Sequence, residues 1–380
     1  MAGSLASAQR HLLATQKNPC VASAGGLLCH TEIFFVWQSL MIDVRRHSHT
    51  ATAAYHDLIT LLLDEAVSEI RGKPMLRRRG ERGYWYDRYR IGTDIKERYL
   101  GEDSENLRRR VERHEELKAE REGRSRERIR LVRLLRSERF LGADGPTGSL
   151  MSAMARTGLF RLGGVLVGTN AFRQYEGELA IRLRMDQAAM TDDIDIASFE
   201  RLSLALEDHV DPGLEDVFRD FDFAPVPGLA PADVWRWRQG NGGALVEFLT
   251  PSFREDEGIR PLGALGVSAQ SLHHLNFLIA DPVHAALVYR DGVLIRIPRP
   301  ERFAIHKLIV ADRRKDGPDS LKARKDLMQV GILVSVLSED RPGDLKEAYE
   351  DALSRGPAWR HRIEASLARR PDIAGVLETL

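Results

Sequence analysis

Two aspartates one residue apart, Asp193 and Asp195, stand in the run Asp192-Asp193-Ile194-Asp195-Ile196. Side chains alternate between faces along a strand, so extended backbone here puts both aspartates on one face and Ile194 and Ile196 on the other. Two carboxylates side by side repel each other unless something positive lies between them. Divalent ions are the usual answer, and hard oxygen ligands favour magnesium. Upstream, the apolar run Val165-Leu166-Val167 ends at Gly168-Thr169, and a helix is expected from Asn170. A glycine at a strand-to-helix turn lets backbone N–H groups approach an anion closely, and the Thr169 hydroxyl adds a donor. Taken singly, a D-x-D pair is most often a solvated strand end, and Gly-Thr is commoner still. Their order along the chain is what points to chemistry.

The elements that must position these residues are a buried strand, a helix and a second apolar strand. That order resembles the signature of the DNA polymerase β-like nucleotidyltransferase superfamily. Thr169 stands where serine is usual, and the long gap between the motifs implies an inserted turn around Gly177 to Ala189. In that pattern a third carboxylate, usually Asp, lies on a later strand and completes the metal site. Glu247, alone among apolar neighbours in Leu245-Val246-Glu247-Phe248-Leu249, fits that place. A lone acid in a buried strand is costly unless paired or metal-bound. Asp220 and Asp222, in the alternating run Phe218 to Phe223, compete for the role.

Further on, Pro298 to Ala311 starts a helix with Pro300 near its first turn. Lys307 lies on it beside Phe303, Val310 and Ala311. A lysine at the edge of an apolar face ordinarily snorkels. Yet Lys307 and Ala311, then Arg313-Arg314, then Arg324-Lys325-Asp326-Leu327 resemble the pattern of AbiEii-type toxin nucleotidyltransferases. Lys325 stands where arginine is usual. The resemblance spans Val165 to Gln329. It implies that Gly168, Thr169, Lys307 and Arg313 bind the nucleoside triphosphate, with Lys307 neutralising β- and γ-phosphate charge. Asp326 would be catalytic, or would hold Lys307 or Arg313. Asp193, Asp195 and Glu247 would hold Mg2+ or Mn2+. The implied reaction moves an NMP from an NTP to an acceptor hydroxyl. Acceptor candidates are a tRNA or other RNA 3′ end, a protein and an aminoglycoside-like small molecule; a toxin role would need an antitoxin protein as partner. The competing class is a degenerate, non-catalytic copy serving as an RNA-binding or regulatory module.

The expected fold class is α/β (α+β): a polymerase β-like core of mixed sheet with helices, at 146–297. A helix, β-hairpin and charged helices precede it at 51–145, and a helical region follows at 298–380. Residues 1–50 read as a poorly ordered extension, or as sequence upstream of a true start at Met41. The hairpin Gly80 to Gly101 interleaves aromatics with basic residues, which would suit nucleic acid, but such residues are also good strand formers that pack on a neighbouring helix. Asn106 to Phe140 reads as a long charged helix interrupted at Gly123, and Ser198 to His209 as another helix.

Charges balance at 56 basic and 56 acidic residues, so the interest lies in where they sit. Cys20 and Cys29 are the only cysteines, which argues against a disulfide framework and for a reducing cytoplasm. No apolar run approaches the roughly 18–20 residues of a membrane span. His273 and His274 are adjacent and lack the H-E-x-x-H spacing, so zinc is not expected.

Overall fold

The computed structural model describes residues 44–68, 70, 72–91, 94–184, 193–200, 208–228, 234–240, 243–253, 256–316 and 318–380. Cys20, Cys29 and Met41, the middle of the expected 198–209 helix, and residues 185–192 lie outside them. Residues Leu40–Leu380 form one unit.

Helix α1 (His49–Ser68) starts where the Ser48 hydroxyl accepts from the Ala51 amide at 3.1 Å. After it, β1 (Lys73–Arg79), β2 (Arg82–Ile91) and β3 (Asp94–Glu102) form a three-stranded antiparallel meander. The expected hairpin is β2–β3; β1 is an additional outer strand. Two of the hairpin's aromatics are packing residues in the core, and Trp85 is anchored by a hydrogen bond. Tyr86 and Tyr99 are buried in the main core, and Trp85 Nε1 donates to Asp103 at 2.8 Å.

The charged segment folds as three helices: α2 (Glu105–Glu112), α3 (His114–Ala119) and α4 (Arg121–Ser137). The breaks fall at Arg113 and Glu120, and Gly123 sits inside α4. Val111 and Leu117 are six residues apart, about 120° by the shorter way around a straight helix, and the break at Arg113 lies between them. The breaks bring both to the interior.

Helix α5 (Gly145–Arg156) is capped by Asp144, whose carboxylate accepts from the Thr147 amide at 2.8 Å. Strand β4 (Val165–Val167), helix α6 (Gly168–Glu178) and strand β5 (Ile194–Ala197) then follow. The run Phe218 to Phe223, expected to alternate as a strand, is instead the end of helix α7 (Leu214–Asp220) and the start of β6 (Phe223–Pro225). Phe218 is drawn inward by Trp237, 4.9 Å away.

Strands β7 (Arg236–Gln239), β8 (Leu245–Pro251), β9 (Ile259–Leu262) and β10 (Val267–Leu272) complete a seven-stranded mixed sheet of order β4-β5-β8-β10-β9, with β7 on β8 and β6 on β7. The fold is therefore the mixed α/β arrangement expected. A short helix α8 (Leu275–Leu278) leads to the hairpin β11 (Val283–Leu287) and β12 (Val293–Ile297).

Five helices close the chain: α9 (Pro300–Arg313), α10 (Ser320–Asp340), α11 (Pro342–Ser354), α12 (Pro357–Leu367) and α13 (Pro371–Thr379). Four begin at a proline, whose missing N–H costs nothing in the first turn. One buried cluster runs from Tyr86 through the large sheet to Leu377, so hairpin, sheet and C-terminal helices share a core. Among the described residues no helix is long and apolar enough to cross a membrane.

Candidate active site

Strand alternation builds the acidic half of the site. On β8, Val246 and Phe248 point into the core, where Phe248 packs on Trp237 at 5.4 Å, and this turns Glu247 to the opposite face. On β5, Ile194 and Ile196 are buried, so Asp195 shares that face. The two strands pair in parallel with Asp195 directly opposite Glu247. Antiparallel β7 places Arg236 opposite Glu247 on its other side. One cross-strand row therefore reads Asp195, Glu247, Arg236. Asp193 lies exposed at the entrance of β5, where the Asn170 side-chain amide donates to its carbonyl at 2.6 Å.

Gly168 sits against this row. Val167 pairs with Asp195 across β4 and β5, and Gly168 follows with φ +67°, a left-handed value that disfavours a side chain. A Cβ there would lie 2.2 Å from Asp195 Oδ2. The absent side chain is what lets the carboxylate reach the first turn of α6. Thr169 is the next residue in that turn and is half-exposed.

The basic half comes from α9 and α10. Helix α6 packs on α9 through Tyr175 and Phe303, 5.2 Å apart, and the Tyr175 hydroxyl donates to the Pro298 carbonyl at 3.0 Å. Lys307, one turn beyond Phe303, is buried with its ammonium 5.3 Å from that ring. It donates to Asp326, which also accepts from Arg314 at 3.0 Å. Asp326 is thus a buried carboxylate holding two cations, one of the roles the resemblance implied. Arg313, expected to bind the triphosphate, faces elsewhere: it pairs with Glu257 at 3.0 Å.

The halves influence each other. Burial, then the Glu247 and Asp193 charges, push the Asp195 carboxyl up to about 7, against the pull of Lys307 and Arg314. Burial and Asp193 raise Glu247, while Arg236 and Lys322 hold it down. Burial and its cationic neighbours Lys307 and Arg314 lower the Lys325 ammonium. Asp195 thus feels the charge of Lys307 and Arg314, Glu247 that of Arg236 and Lys322, and Lys325 that of Asp193.

The donor set can be tested for a metal. Among the described residues no three His, Cys, Asp or Glu side chains converge tightly enough to enclose an ion. Asp195 and Glu247 nevertheless stand directly opposite each other on one sheet face, and two carboxylates so placed repel unless a proton or a cation lies between them. Magnesium is characteristically bound by one or two carboxylates together with substrate phosphates, and an open pair of this kind fits it. Asp220 closes α7, and Asp222 turns against Gly240 at the end of β6 and β7. Neither shares the row with Asp195.

Sequence reasoning passed over Arg314, Lys322 and Arg236. Helix geometry held the signal for the first: Arg314 is seven residues, two turns, from Lys307, whereas Arg313 points about 120° away. Arg236 carried no local signal, because only strand register brings it beside Glu247.

A family model described as nucleotidyltransferase matches residues 146–354, more than half the chain. The chain belongs to this nucleotidyltransferase family. The matched span begins at α5, ends with α11 and contains every residue of the acidic and basic halves. A second model, a domain of unknown function (DUF6788), matches residues 52–109, which hold most of α1 and the three-stranded meander. No curated protein matches the chain. Among solved structures, the chain is similar to an antigenic nucleotidyltransferase-like protein from Paracoccidioides brasiliensis, at 14% identity and a TM-score of 0.36, covering 63% of this chain and 94% of that one.

Proposed function

We propose that this nucleotidyltransferase-family protein transfers an NMP from an NTP to an acceptor hydroxyl. The observation that carries the reading is the Asp195–Glu247 row facing the Lys307–Asp326–Arg314 cluster. Asp193, Asp195 and Glu247 would hold Mg2+ or Mn2+. A divalent ion bound there would lower the pKa of the acceptor hydroxyl and offset charge on the leaving phosphates.

The chain's own residues supply positioning and electrostatics, on which phosphoryl transfer mainly depends. The Gly168-Thr169 turn offers its hydroxyl and backbone N–H groups to the phosphates. Lys307 and Arg314, with Lys325 and Lys322, face the triphosphate. Asp326 fixes Lys307 and Arg314 in place. The acceptor oxygen bonds to the α-phosphorus, the bond from that phosphorus to the bridging oxygen breaks, and pyrophosphate departs. The hydroxyl proton passes to the carboxylate row or to water.

The test incubates purified protein, Mg2+ and each α-labelled NTP with total RNA, with the protein alone and with aminoglycosides. Asp193→Asn/Asp195→Asn serves as control. Label reaching one acceptor only with the wild type is the expected result. Silence everywhere, with no NTP-dependent thermal shift, favours the non-catalytic binding module. The resemblance to AbiEii-type toxins supports a narrower form of the reading. In that form overexpression arrests growth, an antitoxin partner relieves it, and Asp193→Asn removes it.

A further inference from the structure

The hairpin that precedes α9 pairs a histidine with an arginine, and the transfer site uses neither. His284 on β11 stands directly opposite Arg296 on β12. Their strand neighbours turn into the core, where Ala285, Ile295 and Ile297 are buried. His284 and Arg296 therefore share the other face, close enough to meet one ligand. An arginine on the outer face of a strand is ordinarily solvated. Arg296 instead is half-buried, and its Nε is sealed from water with no hydrogen-bond partner. A donor sequestered in this way costs free energy until an acceptor reaches it.

The nearby acids do not pair with Arg296 among the described residues. Asp281 is held by Arg299 at 2.6 Å, and Glu102 lies 3.8 Å from Arg82. Burial outweighs the pull of both and lowers the Arg296 guanidinium from its ordinary value. His284 is exposed to water, yet desolvation first, then Arg296 and Arg110, push its imidazole down to about 4. A side chain that water reaches while protein crowds it lines a recess. Arg110 is a wall of that recess rather than a free cation, because Asp64 accepts from its Nε at 2.8 Å. Strand β3 forms another side. The Tyr99 ring is buried, and its amide and carbonyl are taken by Asp208 and Arg161. Arg296 is the largest charge acting on its hydroxyl.

We infer that the recess between the β11–β12 hairpin and β3 binds a phosphate group, with Arg296, His284 and the Tyr99 hydroxyl as donors. The guanidinium fork matches phosphate oxygens two at a time, and imidazole and phenol can each donate to a further one. The recess lies where the two matched regions meet: Tyr99 belongs to residues 52–109, His284 and Arg296 to 146–354. The ionisable groups that act on Arg296 and His284 are Tyr99, Glu102, Asp281 and Arg110. Neither the carboxylate row nor Lys307 is among them, so this site is separate from the transfer site and does not rest on that reaction.

The test is calorimetric titration of the full chain with inorganic phosphate, AMP and succinate, without metal or NTP. Saturable binding of phosphate and AMP is expected, with succinate at least tenfold weaker. Equal affinity for phosphate and AMP would identify the free anion as the ligand, and tighter binding of AMP a nucleotide. Arg296→Gln should weaken binding at least about tenfold, the loss of a charge-assisted hydrogen bond. Its thermal midpoint in phosphate-free buffer should hold or rise, because a desolvated charge is gone. Tyr99→Phe, which keeps the packed ring, should weaken binding as well, and Glu102→Gln should strengthen it. The histidine ring resonance that His284→Phe removes should move during the titration. Arg314→Gln, in the transfer site, should leave binding unchanged. No saturable phosphate binding overturns the inference. So does loss of binding in Arg314→Gln with Arg296→Gln unaffected, or succinate binding as tightly as phosphate.

Discussion

At Gly168 one missing side chain serves two purposes, a left-handed turn and room for the Asp195 carboxylate. Gly168→Ala should cost about 2 kcal/mol from backbone strain alone, with more from the clash. It should also cut NMP transfer sharply. Urea denaturation beside Gly343→Ala checks this, since a Cβ at Gly343 meets nothing and its helical position should gain from alanine. Asp195 illustrates a different tension. Its carboxylate is opposed to Glu247 and near Asp193, so Asp195→Asn relieves repulsion. We expect that variant to melt higher than the wild type while transfer falls at least about 100-fold, the scale seen when electrostatic catalysis is removed. A lower midpoint with activity retained would remove Asp195 from the site.

Among the elements, α9 and α10 decide which cations face the carboxylates. Arg313 and Arg314 are neighbours in sequence and opposites in role: the first is bound to Glu257, the second to Asp326. Arg314→Ala should therefore raise the KM for NTP about tenfold, the worth of one charge-assisted hydrogen bond. Arg313→Ala should leave it within about twofold. Steady-state kinetics on the two variants separates them, and equal effects would argue that the helix end rearranges with nucleotide. The proline start of α9 was legible in sequence, because capping and turn chemistry are local, whereas the Asp144 cap of α5 falls in a stretch that reads as a loop boundary. The division of the charged segment into α2, α3 and α4 was not, because it answers to which face must be buried.

For the molecule as a whole, His274 and His306 couple packing to pH. Burial first, then nearby cations including Arg313, lower His274 to about 4; burial and Lys307, His274, Arg313 and Arg314 lower His306 to about 3. Both stay neutral in the folded chain while the unfolded chain protonates near 6.5. Between those values the unfolded state binds more protons, so stability rises with pH there. The contribution is complete above 6.5 and is lost as pH falls toward 4. Asp195, whose carboxyl is raised, works in the other direction over part of this range. The comparison to make is thus the fall in thermal midpoint from about pH 7 to about pH 4.5 in wild type against His306→Phe. The variant should lose less, and identical slopes would show that His306 does not titrate with folding.

Sequence alone determined what is written in short-range order. The Gly-Thr turn after an apolar strand, the D-x-D alternation, the isolated Glu247 and the Lys307 helix each follow from local periodicity, and together they resembled the right superfamily. Tertiary structure decided what depends on register and packing. Parallel pairing of β5 with β8 puts Glu247, rather than Asp220 or Asp222, against Asp195. Antiparallel pairing of β7 adds Arg236. The packing of α10 on α9 gives Asp326 to Lys307 and Arg314. The hairpin aromatics had two meanings in sequence, and burial of Tyr86 and Tyr99 chose packing, because a ring inside the core cannot also stack on a ligand. The physical reason is common to all four: a residue's type and its neighbours along the chain set which contacts it can make. Which groups stand opposite it across strands and helices is set only when the chain closes on itself.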